Sequence, residues 1–165
     1  MRYTILLAAT LLIPLAAHGQ TEGYVISQDA PVLLHEYNTE ITTENQGKVV
    51  EHRVSYVHQA DTAVLGVEFG FIEYNLFRDL LDYSLVIETE TTKNGKHEAT
   101  FVNSPRGAFS FHEGVAYVSR VRLANGEVWE ADTDDVLRQT RDSIGIAPET
   151  EIDSLRQRAQ PVQSI

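Results

Sequence analysis

The chain has 165 residues, of which 13 are lysine or arginine and 24 are aspartate or glutamate, so its formal net charge is −11. A charge of this sign and size argues against binding nucleic acid or anionic lipid through the overall field of the protein. The chain contains no cysteine, which excludes disulfides, a thiol nucleophile and thiolate metal sites.

The first residues have the pattern of a secretory signal. Arg2 precedes an apolar run over 5–17, and Ala17 and Gly19 are small residues where a signal peptidase reads them. The apolar run is shorter than the roughly 20 residues of a spanning helix, so we expect 1–19 to be removed. The expected mature chain is periplasmic or secreted, forms one domain and is not inserted in a membrane. An exported domain without disulfides is typical of bacteria.

Residues 20–31 are polar and predict a flexible lead-in. Period-two alternation then predicts three strands, at 32–41, 49–58 and 63–73. The first of these is expected at a sheet edge. The third is the most hydrophobic, and it has two glycines on one face, Gly66 and Gly70. Glycines in this pattern indicate a bulge or a neighbour that packs closely against the backbone.

The segment 74–83 changes period, because its leucines and Phe77 recur at helical spacing. The spacing predicts one or two helical turns that cross from one sheet to the other. The large apolar side chains of this segment form either a lid on the core or an exposed patch for a protein partner. The candidate partner-binding residues are Tyr74, Phe77, Leu80 and Tyr83.

Two hairpins are predicted in the second half of the chain. The first pairs 84–92 with 96–102 around Asn94-Gly95, and the second spans 114–131 with Asn125-Gly126 at its tip. Asn-Gly is typical of a two-residue turn that needs positive φ at both central positions.

A short helix is predicted at 132–141, because Asp132 is a good N-cap, acidic residues follow it and arginines come late. The polar segment 143–165 is predicted to be a disordered tail. The fold class is therefore all-β, with the domain at 32–142. We expect a two-sheet antiparallel sandwich of about seven strands, with one short crossover helical turn and the C-terminal helix.

The apolar faces of the predicted strands define a candidate core. Burying side chains of this size contributes roughly 1.5–3 kcal/mol each, which can support a domain without disulfides. The candidate core residues are Val54, Tyr56, Leu65, Val67, Phe69, Phe71, Tyr117 or Val118, Val121 and Trp129.

Two segments resemble parts of immunoglobulin-like or fibronectin-type-III-like modules of exported bacterial proteins. The segment 54–69, two strands around a polar turn, resembles their B and C strands, and 118–129 is similar to their closing F–G hairpin. The resemblance is architectural, covers roughly 49–131 and implies that the two-sheet antiparallel sandwich is immunoglobulin-like. The chain departs from antibody domains because it lacks paired cysteines and has Trp129 on the last strand, so no functional residues carry over.

The residues offer little catalytic chemistry. His52 and His58 share a strand face but lie about 20 Å apart at about 3.3 Å per residue, so they cannot chelate one ion. The acidic cluster at 132–135 has Leu137 and Ser143 where an EF-hand needs Gly and Glu. Tertiary structure would have to assemble the remaining histidines: His35, His97 and His112.

The remaining catalytic hypotheses use a serine or paired carboxylates. Ser110 lies two residues from His112, but no Gly-x-Ser-x-Gly elbow is present. A carboxylate-dependent hydrolase would need two acids at a defined spacing in a cleft. The available acids are Glu68, Glu73, Asp79 and Asp82.

The sequence therefore predicts an exported, non-catalytic β-sandwich that acts as a protein-binding or accessory module of the bacterial envelope. It predicts no cofactor and no metal, and its expected partner is another envelope protein. Two alternatives stay open: a periplasmic carboxylate-dependent hydrolase, and a subunit of an envelope assembly.

Overall fold

A computed structural model describes residues 22–26, 28–44, 47–89, 95–103 and 107–146. In these ranges the chain is an all-β sandwich with one α-helix. The strands are β1 (Glu22–Val25), β2 (Val32–Glu44), β3 (Gly47–His58), β4 (Val64–Asn75), β5 (Leu80–Glu88), β6 (Lys96–Asn103), β7 (Phe111–Leu123) and β8 (Val128–Glu130). A short 3₁₀ turn, Ala108–Ser110, precedes β7, and the helix α1 is Thr133–Ile144.

The strands form two sheets. One sheet has the order β2-β3-β6, and the other has the order β1-β7-β4-β5, with β8 also paired to β7. The strand pairs are antiparallel except for the parallel pair of β1 and β7. Strand β4 therefore lies in the middle of the larger sheet, with β7 on one side and β5 on the other.

The main core lies between the sheets, where alternate residues of each strand meet. Its largest aromatic members are Tyr56, Phe69, Phe71 and Phe101, each 1% exposed or less. The predicted core residues are confirmed as buried with two exceptions. Trp129 is half-buried against this core, and Leu65 is 52% exposed.

The exposure of Leu65 has a local cause. The pairing of β4 with β7 shifts register between Val64 and Gly66, and this bulge sends both Val64 and Val67 into the core. Leu65 and Gly66 are left on the outer face. Regular alternation would have buried Leu65, so the bulge overturns that prediction.

A second core lies between the outer face of the larger sheet and α1. It is formed by residues of β4, β5, β7 and the helix, namely Ile72, Tyr74, Tyr83, Val115, Tyr117, Val136 and Ile144, with Ile26 beside β1. The molecule thus has three layers around β4, which is covered on its inner face by the smaller sheet and on part of its outer face by the helix.

The helix begins as the sequence predicts. The Oδ1 atom of Asp132 accepts hydrogen bonds from the backbone N–H groups of Asp134 (3.0 Å) and Asp135 (3.3 Å), which makes Asp132 the N-cap. The helix ends at Gly145, which has a φ of 78°. The helix therefore includes residues 143 and 144, the first two of the segment that was predicted to be a disordered tail. Ile144 is 1% exposed.

No helix in the described part of the chain is long and apolar enough to span a membrane.

The predicted helical crossover at 74–83 is wrong. Strand β4 continues to Asn75, and β5 begins at Leu80 and pairs with β4 in the same sheet. The connection is a tight turn in which Arg78 has a positive φ of 64°. The helical spacing of the leucines and Phe77 thus spans a strand end, a turn and a strand start.

The predicted hairpin of 84–92 with 96–102 is also wrong. Strand β5 pairs with β4, whereas β6 pairs with β3 in the other sheet. The chain therefore crosses between the sheets at this point and not at 74–83. The Asn94-Gly95 signal indicated a turn, but a turn signal does not specify which strand its neighbours pair with.

The closing hairpin of β7 and β8 is confirmed, but its turn differs. Arg122 pairs with Val128, and the N–H of Leu123 donates to the carbonyl of Glu127, so the loop has three residues. Gly126 has a φ of 93°, and no positive φ occurs at Asn125. A three-residue loop with glycine in the left-handed region is a common hairpin alternative to the two-residue primed turn.

Other predictions concern the ends of the chain. The segment 20–31 was predicted to be a flexible lead-in, but it contains the strand β1. Gly23 of this strand pairs with Gly114 of β7. The signal segment 1–19 lies outside the described residues, as do the turn residues 45–46 and the segment 147–165.

Gly70→Ala should destabilise the fold by roughly 1–3 kcal/mol. A Cβ at Gly70 would overlap the ring of Tyr117, which is 1% exposed and cannot turn outward. Gly66→Ala is the matched control on the same strand and face, because its Cβ would have the carbonyl oxygen of Glu88 at 3.5 Å as its nearest neighbour. Urea denaturation measures both variants, and equal losses would contradict the packing of Tyr117 on Gly70.

Candidate functional site

The loop between β4 and β5 is held in one conformation by its own side chains. The Oδ1 atom of Asn75 accepts from the N–H groups of Phe77 (2.8 Å) and Asp79 (2.9 Å), and the Nδ2 atom of Asn75 donates to Asp79 Oδ2 (3.0 Å). The Nε atom of Arg78 lies 3.3 Å from Glu113 Oε1 on β7. These contacts make the loop a rigid extension of the larger sheet.

This rigid loop presents large apolar side chains to solvent. Phe77 is 82% exposed and Leu76 is 64% exposed. Phe109 is also 82% exposed and lies at the same end of the sheet, because Phe111 pairs with Asn75. We name Leu76, Phe77, Leu80 and Phe109 the apolar loop patch.

The structure divides the four candidate partner-binding residues into two pairs. Phe77 and Leu80 are in the apolar loop patch. Tyr74 and Tyr83 are 1% and 6% exposed and lie in the core under α1, so their assignment to an exposed patch is wrong. Both tyrosines are strand residues on the face that the helix covers. Burial, and then the charge of Glu113, raise the pKa of Tyr74 well above its usual value.

A second exposed apolar surface lies at the other end of β4, on the outer face of the larger sheet. Gly66 forms its floor, and its walls are Leu65, Ile87 and Val128, which are 52%, 60% and 49% exposed. We name this surface the outer groove, and its volume is about 310 Å³. Helix α1 packs on the opposite half of the same face.

Two arginines of β7, Arg120 and Arg122, line the outer groove. Arg120 Nε donates to Glu68 Oε1 at 3.0 Å, and Ser119 Oγ donates to the same oxygen at 2.8 Å. The hydrogen bond to Glu68 raises the pKa of Arg120. Arg122 is exposed and forms no ion pair with the other residues that the structure describes. Of the groove residues, the sequence drew attention to Leu65, Gly66 and Glu68, each for a separate reason.

A chain of polar side chains runs through the interior between the sheets. The Tyr37 hydroxyl lies 2.8 Å from His52 Nδ1, and His52 Nε2 lies 3.2 Å from Glu73 Oε1, which is ion-pair distance without hydrogen-bond alignment. Asn103 Nδ2 donates to Glu73 Oε1 at 2.7 Å and approaches Asp82 Oδ2 at 3.4 Å. We name these five residues the buried polar chain.

Tyr37 of the buried polar chain has room because the paired strands β1 and β7 have glycine at the positions that it packs against. Cβ atoms at Gly23 and Gly114 would each lie 2.5 Å from a Tyr37 atom, the carbonyl oxygen and the hydroxyl respectively. Burial, and then the charge of Glu73, raise the pKa of Tyr37 well above 10.0. Neither Tyr37 nor Asn103 was singled out by the sequence, because nothing local marks two polar residues that meet across two sheets.

The structure brings together two of the four candidate hydrolase carboxylates, Glu73 and Asp82, through Asn103. Burial, and then the charge of Glu73, raise the pKa of Asp82, against the opposing effect of its hydrogen bond from the Tyr83 N–H. Glu73 and His52 are both 0% exposed. In this conformation Glu73 and His52 are closed off from any substrate, and Asp82 is partly buried beside them.

The remaining histidine and serine candidates do not converge on one site. The rings of His58 and His97 stack with their centroids 4.5 Å apart, whereas His35 and His112 are exposed elsewhere. Ser110 Oγ donates to the carbonyl of Gly107. Among the described residues, no group of three or more histidines and acids could hold a metal ion.

The buried polar chain should be coupled in stability. Glu73→Leu leaves the Nδ2 atom of Asn103 without its acceptor and removes the carboxylate beside His52 Nε2, so we expect a loss of about 1–3 kcal/mol in the free energy of unfolding. The double variant His52→Leu/Glu73→Leu should lose at least about 1 kcal/mol less than the sum of the single losses. A double-mutant cycle by urea denaturation measures this coupling, and additive losses would contradict it.

His58 should make stability depend on pH. Burial, and then the adjacent His97, lower the pKa of His58 from 6.5, so the unfolded state binds a proton more readily than the folded state. The contribution of His58 is complete above pH 6.5 and is lost as the pH falls below that value. Between about pH 7.5 and about pH 5.5, the wild type should therefore lose more unfolding free energy than His58→Gln.

The exposed His35 supplies the control for this measurement. His35→Gln should keep the pH dependence of the wild type. If His58→Gln and His35→Gln have the same dependence, His58 is not the group responsible.

Comparisons with known proteins place this chain in no family. No protein-family model matches it, and no curated protein matches it. Among solved structures it is similar to a hypothetical protein from Peptoclostridium difficile 630, with a TM-score of 0.45 and 7% sequence identity. The match covers 81% of this chain and 100% of that chain. A likeness this distant carries no argument about function.

Proposed function

We propose that this protein is an exported, non-catalytic β-sandwich that binds another protein of the bacterial envelope through the apolar loop patch. The observation that supports the proposal best is Phe77, a large aromatic residue that is 82% exposed in a loop fixed by Asn75. A preorganised loop loses little conformational entropy on binding. Buried aromatic anchors supply much of the binding energy of protein interfaces.

The proposed location is the periplasm or the medium. It is supported by the signal pattern of residues 1–19 and by the absence of cysteine from the sequence. An accessory role within an envelope assembly is compatible with the same surface, because assembly subunits also dock through exposed apolar residues.

We also propose that the sandwich is immunoglobulin-like. In immunoglobulin constant domains, strands A, B and E share one sheet and strands C, F and G share the other. The partition of β2, β3 and β6 against β4, β7 and β8 supports this assignment, with β3 and β4 as the B and C strands. Strand β5 beside β4 is the difference, because the constant-type D strand pairs in the first sheet.

The hydrolase alternative has less support. It would need Glu73 and Asp82, the two candidate carboxylates that lie close together, to reach a substrate, and Glu73 is 0% exposed between the sheets. The outer groove, by contrast, has Glu68 hydrogen-bonded to Ser119 and Arg120, so this carboxylate already has partners within the protein.

The partner-binding role of the loop is tested by site-specific photocrosslinking. Phe77→benzoylphenylalanine, expressed in source cells, should give a discrete adduct with one protein, because the side chain at this position is expected to be buried in the interface. His35→benzoylphenylalanine, at an exposed position on β2, is the matched control and should not give that adduct. The same adducts from both positions, or none from position 77, would contradict the proposal.

A further inference from the structure

The two exposed apolar surfaces lie at opposite ends of one strand. Gly66 of the outer groove and Asn75 at the base of the loop are nine residues apart on β4, roughly 30 Å at about 3.3 Å per residue. A loop fixed in conformation cannot fold back over that distance. The loop of one molecule therefore cannot occupy its own groove, although it can reach the groove of another molecule.

The outer groove has the size and polarity of a receptor for side chains. Its volume of about 310 Å³ is near the lower end of small-molecule sites. Three half-exposed aliphatic side chains form its walls, and Gly66 leaves its floor open because a Cβ there would approach only one atom, at 3.5 Å. A protruding phenylalanine has the complementary shape and polarity.

The charges at the two ends are also complementary. The outer groove is lined by Glu68, Arg120 and Arg122, and because Arg120 pairs with Glu68, Arg122 is the groove arginine without an ion pair among the described residues. In the loop, Arg78 lies 3.3 Å from Glu113, which leaves the exposed Asp79 as the loop charge without an ion pair among the described residues. With Phe77 in the groove of a second molecule, Asp79 would lie near Arg122 of that molecule. A pair of opposite charges at this position would fix the orientation of the contact.

We propose that the occupant of the outer groove is the β4–β5 loop of a second copy of this chain, with Phe77 inserted between Leu65, Ile87 and Val128. The inference rests on the proposed function of the apolar loop patch as a binding surface, and it puts a second copy of this chain in the place of a different envelope protein. The contact is head-to-tail, because different surfaces of the two copies meet. Repetition of such a contact gives an open chain or a closed ring.

Sedimentation velocity of the exported protein, from micromolar to millimolar concentration, tests the contact. The average mass of the wild type should rise with concentration to at least twice the monomer mass. Phe77→Ser removes the inserted side chain, and Gly66→Leu fills the groove. Each variant should remain at the monomer mass while unfolding in urea like the wild type.

Mixing the two variants makes the test specific. Phe77→Ser keeps an intact groove, and Gly66→Leu keeps an intact loop, so an equimolar mixture can form one contact and no more. The mixture should reach twice the monomer mass and stop there, whereas the wild type continues to grow. A mixture that stays monomeric overturns the proposal, because a second copy would then not join loop to groove.

The charge contribution has its own matched pair of variants. Arg122→Glu should lower the association constant at least tenfold by placing like charges together, whereas Lys48→Glu makes the same charge change at an exposed site on β3 and should have a much smaller effect. Equal effects would mean that overall charge alone governs association, which overturns the proposed orientation.

The two proposals fail separately. A wild type that is monomeric at every concentration overturns the head-to-tail contact. If photocrosslinking at position 77 then captures a different protein, the partner-binding role of the loop stands. If it captures none, that role fails as well.

Discussion

The packing of Tyr117 against Gly70 makes β4 the centre of the structure. Gly70 leaves room on the outer face of β4 for the Tyr117 ring, and that ring belongs to the core under α1. The inner face of the same strand supplies Val67, Phe69 and Phe71 to the core between the sheets. Because β4 is buried on both faces over much of its length, it fixes the positions of the helix and of the smaller sheet relative to each other.

The helix covers only one end of the outer face of β4, so the face has a covered half and an open half. Under the helix the face is packed and rigid. Beyond Glu68 and its partners Ser119 and Arg120, the face is open and becomes the outer groove. The Glu68 carboxylate thus stands where burial ends, and its pairing with Arg120 lets a charged residue occupy a site that is only 6% exposed.

The buried polar chain has a different role inside the sandwich. Replacing both partners of a buried polar contact by apolar residues is often neutral or stabilising, so His52 and Glu73 need not add net stability. His52 on β3 and Glu73 on β4 contact each other and also contact Tyr37 on β2 and Asn103 on β6. These contacts form together only when the four strands have this arrangement. A sandwich with shifted strand register would leave Glu73 buried without a partner, which is costly. We regard this cost as the physical reason for retaining such a chain in an apolar core.

The sequence by itself determined most of the secondary structure and the helix start. Alternation identified β3, β4 and β7 because one or both of their faces are buried, and the Asp132 cap is a local hydrogen-bonding motif. Local signals also predicted the closing hairpin. The exposed half of the candidate site, Phe77 and Leu80, was found for the same reason, since a cluster of large apolar residues near turn residues is visible in the sequence.

Only the tertiary structure decided which strands pair and which apolar residues stay exposed. Strand β5 could have paired with β6 across Asn94-Gly95, but it pairs with β4 through the loop that Asn75 fixes. A one-residue bulge beside Gly66 moved Leu65 from the core to the outer groove, and the helix buried Tyr74 and Tyr83. Pairing and bulges depend on contacts between residues far apart in the chain, so their energies are absent from any local pattern.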